Sequence, residues 1–383
     1  MIKYFESTDA GAPTMNNAAG SMIAVLDACL ITGYNTKAVT SIVVASGVAT
    51  VVCAAHAFAN TYGKVVRIAG ATAGFTALNK DTTIANVTTN GFTFLCPGVA
   101  DGAATGTLTA KYAPLDWVKQ YSGTNKAMYK RSDVTATGCM LRIDDSAVAV
   151  SCRALMVQSA TDVDTYTNGS PTAAQVTGGT GNHWIKAYGS ANATAVDWFV
   201  VADELFIYVF VKTNFSYGGY LAHFFGDAKS FRPADSLNCL VGGLTTNNDG
   251  NPLSGVNSTG ACVILGGKNG ISLSQTVAIR DRVDSYGAQG AVYPSLVDGG
   301  LVINYPILFA EPTATSDVRG VFPGVATPVA QLSNGSTNTF ASKTQISNIV
   351  GSSNIFLIVN VASSVSAGNV VNVALINLTG PWR

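Results

Sequence analysis

Apolar positions along this chain follow two periods, and the switch between them divides it. Residues 1–18 keep neither period: Gly11, Pro13 and Asn16-Asn17 interrupt a polar stretch that reads as an extended arm. Met22-Ile23, Leu26 and Leu30 then recur at helical spacing, with Ser21 placed as N-cap and Gly33 as stop. Beyond Gly33 the period is two. Strands are expected around Val43-Val44 and Val51-Val52, which flank a Ser46-Gly47 turn, and over residues 65–68, 82–87, 92–95 and 105–110. Asn90-Gly91 is a hairpin signal, because both residues tolerate the positive φ of a type I′ turn.

Two further hairpins follow. Residues 139–153 fold around Asp144-Asp145-Ser146, and a turn centred on Asp145-Ser146 sets Leu141 opposite Val150 and Cys139 opposite Cys152. Residues 197–212 fold around Asp203-Glu204. One face of that hairpin carries Trp198, Val200, Leu205, Ile207 and Val209, the other Phe199, Val201, Phe206, Tyr208 and Phe210. Neither face is polar, so the hairpin belongs either inside the fold or against another subunit. Residues 165–181, 245–260 and 331–342 are polar and rich in Gly, Asn, Thr and Ser, as long loops are. The expected architecture is mainly β: an N-terminal arm and short helix (1–36), a small β module (37–114) and a larger β-sandwich-like domain (115–383).

Composition adds one constraint. Of 383 residues 48% are hydrophobic and only 11% charged, against roughly 25% in ordinary soluble domains. A surface so short of charge suits a protein covered by partners better than a freely diffusing enzyme. Formal net charge is zero and no run of Lys or Arg occurs, which argues against nucleic acid as principal ligand. The opening Met1-Ile2-Lys3-Tyr4-Phe5-Glu6 lacks the basic-then-apolar order of a leader. The apolar stretch 41–59 contains Ser46-Gly47 and is rich in valine, so it reads as a hairpin rather than a membrane span. Seven scattered cysteines without a C-x-x-C spacing indicate neither a zinc site nor a disulfide framework.

Candidate chemistry is sparse. His56, His183 and His223 are the only histidines, none at metal-ligand spacing, and each adjoins aromatics as packed histidines do. Gly266-Gly267-Lys268-Asn269-Gly270 lacks the spacing and the Ser or Thr of a phosphate-binding loop. Asp144-Asp145 and Asp203-Glu204 sit where turns need Asp, while Asp162 with Asp164 offers oxygen ligands for a cation at a strand end. Tyr217, Tyr220, Phe224, Phe225 and Phe231 gather around Gly218-Gly219 as core, subunit contact or sugar platform. No catalytic, cofactor-binding or metal-ligating residue is assigned, and no cofactor is expected.

Several segments resemble a family of tailed-bacteriophage virion structural proteins. Phe5-Glu6-Ser7-Thr8-Asp9-Ala10-Gly11-Ala12-Pro13, followed by Gly20-Ser21-Met22-Ile23-Ala24-Val25-Leu26-Asp27-Ala28-Cys29-Leu30, is similar to the family's arm-plus-helix opening. His56-x-Phe58, Gly63-x-Val65-x-x-Ile68-x-Gly70, Leu78-Asn79 and Phe92-Thr93-Phe94 resemble a small β module of phage structural proteins, with Ala55 where that module has glycine. Ser122-Gly123-Thr124-Asn125-Lys126-Ala127, Arg142-x-Asp144-Asp145, Asp162-Val163-Asp164, Phe225-Gly226-Asp227 and Arg319-Gly320-Val321-Phe322-Pro323-Gly324 continue the likeness to about residue 325. The resemblance implies a virion component. With the low charge and the missing catalytic signatures, the expected role is a non-enzymatic tail, baseplate or neck subunit that assembles with copies of itself and with other virion proteins. A receptor-binding spike or fibre module for host glycan, and a head decoration protein, are the alternatives.

Overall fold

The computed structural model describes residues 1–172, 176, 181–188, 193–212, 218–245, 252–253, 261–265, 279–280, 294, 299–310, 318–329, 332, 339–362 and 370–383. The chain is mainly β with one short helix, and its sheets form a sandwich-like arrangement. Between residues 34 and 112 two small sheets face each other. One orders its strands Ala85–Thr88, Gly91–Leu95, Val48–Val52, Ser41–Ala45, Gly102–Ala103; the other orders Tyr34–Ala38, Thr105–Tyr112, Val65–Thr72, Asp81–Thr83. Ile42, Val44, Ala49, Val51, Phe92 and Phe94 from the first share a buried cluster with Val66, Ile68, Leu108 and Ala110 from the second. The same cluster runs on through Met22, Leu26, Leu141, Trp184 and Trp198, so it crosses residue 114 without a break.

Residues 41–52 form a hairpin, and 53–59 continue without helix. Ser46 and Gly47 take φ 51° and 75°, as a two-residue turn with the twist of its strands requires. At Asn90-Gly91 the hairpin is present but the reason differs. Thr88 pairs with Gly91, so Thr89 and Asn90 make the turn and neither takes positive φ. Gly91 is needed for approach instead: a Cβ there would lie 2.5 Å from the Val51 carbonyl oxygen. Ala55, at the position where the resembled module has glycine, sits at φ 47°, in the left-handed region that glycine favours.

The helix runs Ser21–Asp27 and widens into a π turn over Ala28–Thr32 that ends at Gly33. Ser21 is not its cap. Gly20 holds that position, and the Met22 amide donates to the carboxylate of Asp145 at 2.9 Å, from the other side of the core. Asp145 is buried against the fully buried ammonium of Lys186, which also donates to the Ala18 carbonyl at 2.7 Å. Burial pushes the Asp145 carboxyl up, against the pull of Lys186 and of the helix amides.

This diversion of Asp145 alters the hairpin it belongs to. Met140–Asp144 pairs with Ser151–Val157 so that Leu141 faces Met156 and Ile143 faces Ala154, leaving residues 145–150 as a wide connection. The tight turn at Asp145-Ser146 is therefore wrong, and Cys139 is not opposite Cys152. The shift of partner is an even number of residues, so Leu141, Ile143 and Cys152 still point into the core.

The second hairpin turns one residue later than expected. Ala202 faces Ile207, and Asp203 starts the turn by accepting from the Leu205 amide at 2.9 Å and the Phe206 amide at 2.7 Å. Both faces are covered by the chain itself. Trp198, Val200, Ile207 and Val209 enter one cluster; Phe199, Val201, Phe206, Tyr208 and Phe210 enter a second with Leu357, Val359 and Trp382. Leu205, expected on the first face, lies in the turn. The two apolar faces thus need no neighbouring subunit.

Nor are residues 1–18 a free arm. Lys3–Glu6 is a strand antiparallel to Trp198–Ala202, with Phe5 opposite Val200. Asp9 accepts from the buried Lys64 at 2.7 Å and from the Tyr34 hydroxyl at 2.7 Å, and Pro13 accepts from the Trp198 indole at 3.1 Å. The apolar residues Ile2, Tyr4 and Phe5 alternate with Lys3 too briefly to stand out against the polar residues that follow.

A buried ion pair costs more to halve than to remove. Asp145→Asn and Lys186→Met are each expected to cost about 3–5 kcal/mol, because each strands its partner's polar group in the core. The double variant Asp145→Leu/Lys186→Met should lose far less than the sum. Urea denaturation of the four proteins checks this, and additive losses would show that the two side chains act independently.

Candidate functional site

The five-stranded sheet alternates inward and outward, and among the described residues its outward side is left exposed. Ser41 faces Val52, Val43 faces Thr50 and Ala45 faces Val48 across one strand pair; Val48 faces Leu95 and Thr50 faces Thr93 across the next. Ala103 adjoins Val43, and Ala85 adjoins Thr93. Val43 is 45% exposed, Val52 44% and Leu95 71%, while their sequence neighbours Val44, Val51 and Phe94 are buried. No residue in this outward set carries a charge. Charged groups stand only at its rim, where Asp101 accepts from the Ser46 amide at 2.8 Å and Lys80 donates to the Leu95 carbonyl at 3.2 Å. An uncharged face with charge confined to its rim matches the depletion of charge at interface centres. Sequence reading found these strands without finding the face. The signal was the alternation itself, with Val43 and Val52 out of phase with Ile42, Val44 and Val51.

The carboxylates singled out by sequence are each engaged by groups of the chain itself. Asp162 accepts from the Asp164 and Thr165 amides at 2.7 and 2.9 Å, and these amides hold its carboxyl below the usual range. Asp164 pairs with Lys126 at 2.9 Å and Arg142 at 2.6 Å, which leaves it no charge to offer a cation. Asp144 accepts from Ser146, Asp145 caps the helix, Asp203 closes its turn, and the Glu204 carboxylate pairs with the Met1 ammonium at 2.6 Å. Among the described residues no group of three His, Cys, Asp or Glu is placed to hold a metal ion. The 266–270 segment and Tyr217 lie outside the described residues.

The aromatic cluster around Gly218-Gly219 does not form a platform. Tyr220, Phe224 and Phe225 are buried in the fold, and only Phe231 is exposed. A different concavity opens beside it: a cleft of about 410 Å³ lined by Lys212, Gly218, Tyr220, Phe340, Ala341, Ser342 and Asn360. Asn360 donates to the Phe340 carbonyl at 3.0 Å, while its side-chain oxygen has no partner. No local pattern announces this cleft, because its walls come from segments well over a hundred residues apart.

All three histidines are buried. His56 stacks on Phe58 with ring centroids 5.2 Å apart, and its Nδ1 accepts from the Phe58 amide. His183 bonds Ser151 at 2.9 Å and meets the Arg153 guanidinium. His223 lies against Trp184 and accepts from the Ile185 amide at 2.9 Å through Nε2. Burial, with His183 adding to it, pushes the His223 imidazole down to about 3.

Comparison with protein-family models and with curated proteins finds no match. Among the described residues no helix is long and apolar enough to cross a membrane.

His223 sets a pH dependence with a definite sign. Its folded pKa lies below the ordinary 6.5, so the unfolded chain binds the proton first and stability falls as pH drops through the window from 6.5 to about 3. The loss approaches roughly 1.4 kcal/mol per pH unit within that window. Urea midpoints for the protein and for His223→Gln across that range should diverge by this slope, and parallel curves would refute a neutral buried imidazole.

Proposed function

We propose that this protein is a structural subunit of a tailed-phage virion, in the tail, baseplate or neck, working by assembly with copies of itself and with other virion proteins. The observation that carries the reading is the uncharged outward face built on Val43, Val52 and Leu95. Covering it would remove apolar area from water at roughly 25 cal/mol per Å² before the cost of association. A stable contact takes about 800 Å² per partner, so neighbouring surface would join it. The segmental likeness to virion proteins supports the same role. The N-terminal segment and the 197–212 hairpin do not, since the chain itself covers both. The reading assigns no catalytic step, and the local engagement of Asp162 and Asp164 supports that.

A lysine at the centre of the face tests the proposal. Thr50→Lys points outward between Val43 and Thr93, so the fold should keep its circular dichroism and melting point. Size-exclusion chromatography with light scattering should show the parent chain self-associating and the variant at least tenfold weaker. A parent that stays monomeric at every concentration, or a variant that assembles equally well, overturns the role of this face. Absence of the chain from purified particles overturns the virion assignment.

The cleft at Lys212 and Asn360 favours a second reading, recognition of host glycan. Tyr220 and Phe340 supply rings, and the Asn360 oxygen and Lys212 ammonium supply an acceptor and a donor for hydroxyl and carboxylate groups. Binding of acidic glycans that Lys212→Met weakens about tenfold is the expected result under this reading. Release of reducing ends from host polysaccharide, abolished by Asp162→Asn or Asp164→Asn, would instead establish an enzyme.

A further inference from the structure

The seven cysteines are not equivalent. Cys29 and Cys152 are wholly enclosed, and burial holds both thiols well up. Cys139 and Cys239, a hundred residues apart, lie within hydrogen-bonding reach of each other under one cation. Arg131 donates through one nitrogen to the Cys239 sulfur at 3.7 Å and through another to Asp227 at 2.7 Å. Its guanidinium lies over the Phe225 ring at 4.8 Å, which fixes it in place. Asp227 also accepts from the Thr137 hydroxyl at 2.7 Å and the Thr137 amide at 2.8 Å, drawing the segment that precedes Cys139 onto the same node.

We propose that Cys139 and Cys239 are a redox couple that closes to a disulfide when the protein meets a hydroperoxide. The two differ in ways that assign their roles. Cys139 is 3% exposed and Cys239 0%, so Cys139 is the sulfur an oxidant reaches first. The Cys239 thiol, held up chiefly by burial, keeps its proton and donates it in a hydrogen bond to Cys139. That bond, with Thr137 and Arg131 assisting against burial, brings the Cys139 thiol down to about 7. A large thiolate fraction therefore exists at neutral pH, and the thiolate is the nucleophile.

The chemistry balances in two steps. The Cys139 thiolate attacks the hydroperoxide, forming an S–O bond as the O–O bond breaks, and the departing oxygen leaves as hydroxide or alkoxide and takes a proton from water. The Cys239 sulfur then attacks the Cys139 sulfur. An S–S bond forms, the S–O bond breaks, and the hydroxide released leaves as water with the Cys239 proton. Two thiols are oxidised by two electrons, and the peroxide is reduced. The product ties the start of strand Met140–Asp144 to the start of strand Cys239–Leu244, closing a long loop of chain.

Treating the folded full-length chain with stoichiometric hydrogen peroxide, blocking the remaining thiols and mapping peptides by mass spectrometry tests this. The expected result is a single cross-link between Cys139 and Cys239, with a loss of two reactive thiols and with Cys29 and Cys152 recovered as alkylated thiols. In Cys239→Ser the cross-link should vanish and Cys139 should be trapped as a sulfenic acid by dimedone. Because that substitution sits in the core, the parent protein supplies an independent measurement: alkylation of Cys139 should rise with pH through a midpoint near 7 and exceed that of Cys152 at least tenfold. Recovery of both thiols after oxidation, a bond to any other cysteine, or equal reactivity of Cys139 and Cys152 overturns the proposal.

Discussion

The buried contact between Asp145 and Lys186 governs how three separated parts of the chain meet. Asp145 accepts from the helix amide of Met22, and Lys186 reaches back to the Ala18 carbonyl, so one ion pair joins the N-terminal segment, the 145–150 connection and the residue after strand His183–Ile185. Its strength comes from completeness: carboxylate and ammonium both find several partners, which is the condition under which burying charge is tolerable. The same device recurs at Lys64 with Asp9, Arg131 with Asp227 and Arg319 with Asp235, all largely enclosed. A chain with few charges has used many of them as internal ties, and this is why a whole sheet face can be left with none.

Side-chain direction was legible in the sequence, but pairing was not. Alternation of period two fixed the inward direction of Leu141, Ile143 and Cys152 and of the strand residues of 197–212. But Val148, read with the first set, is exposed, Met140 and Arg142 on the opposite face are buried, and Leu205 lies in a turn. Register depends on the turn, and both turns depend on an aspartate. Asp203 makes a local turn, as its residue type suggests, and the error was one position. Asp145 leaves its own hairpin for a helix more than a hundred residues earlier in the chain. No local pattern encodes such a partner, so the tight turn read from Asp145-Ser146 had nothing to correct it.

The candidate sites divide along the same line. The uncharged face is built on two hairpins, 41–52 and 85–95, so the outward residues of each follow from phase, while the pairing of the two hairpins needed the fold. The cleft at Lys212 and Asn360, and the thiols of Cys139 and Cys239, unite residues from distant strands and needed the fold. The cysteine pair is instructive because the residue type was noticed and the partner misassigned: Cys139 meets Cys239 at the node that Arg131, Asp227 and Thr137 build, not across its own hairpin.

The first strand of the chain is laid beside a strand that is synthesised much later. Phe5 lies opposite Val200, and Glu6 also meets Lys343 at 3.4 Å. At ordinary translation rates of about 5–20 residues per second, the N-terminal segment waits roughly 10–40 s for its strand partner to be made. During that interval Ile2, Tyr4 and Phe5 lack the strand they pack beside. Pairing of strand Lys3–Glu6 therefore waits on residues made about two hundred positions later, which makes it one of the later contacts a chain emerging in order could form.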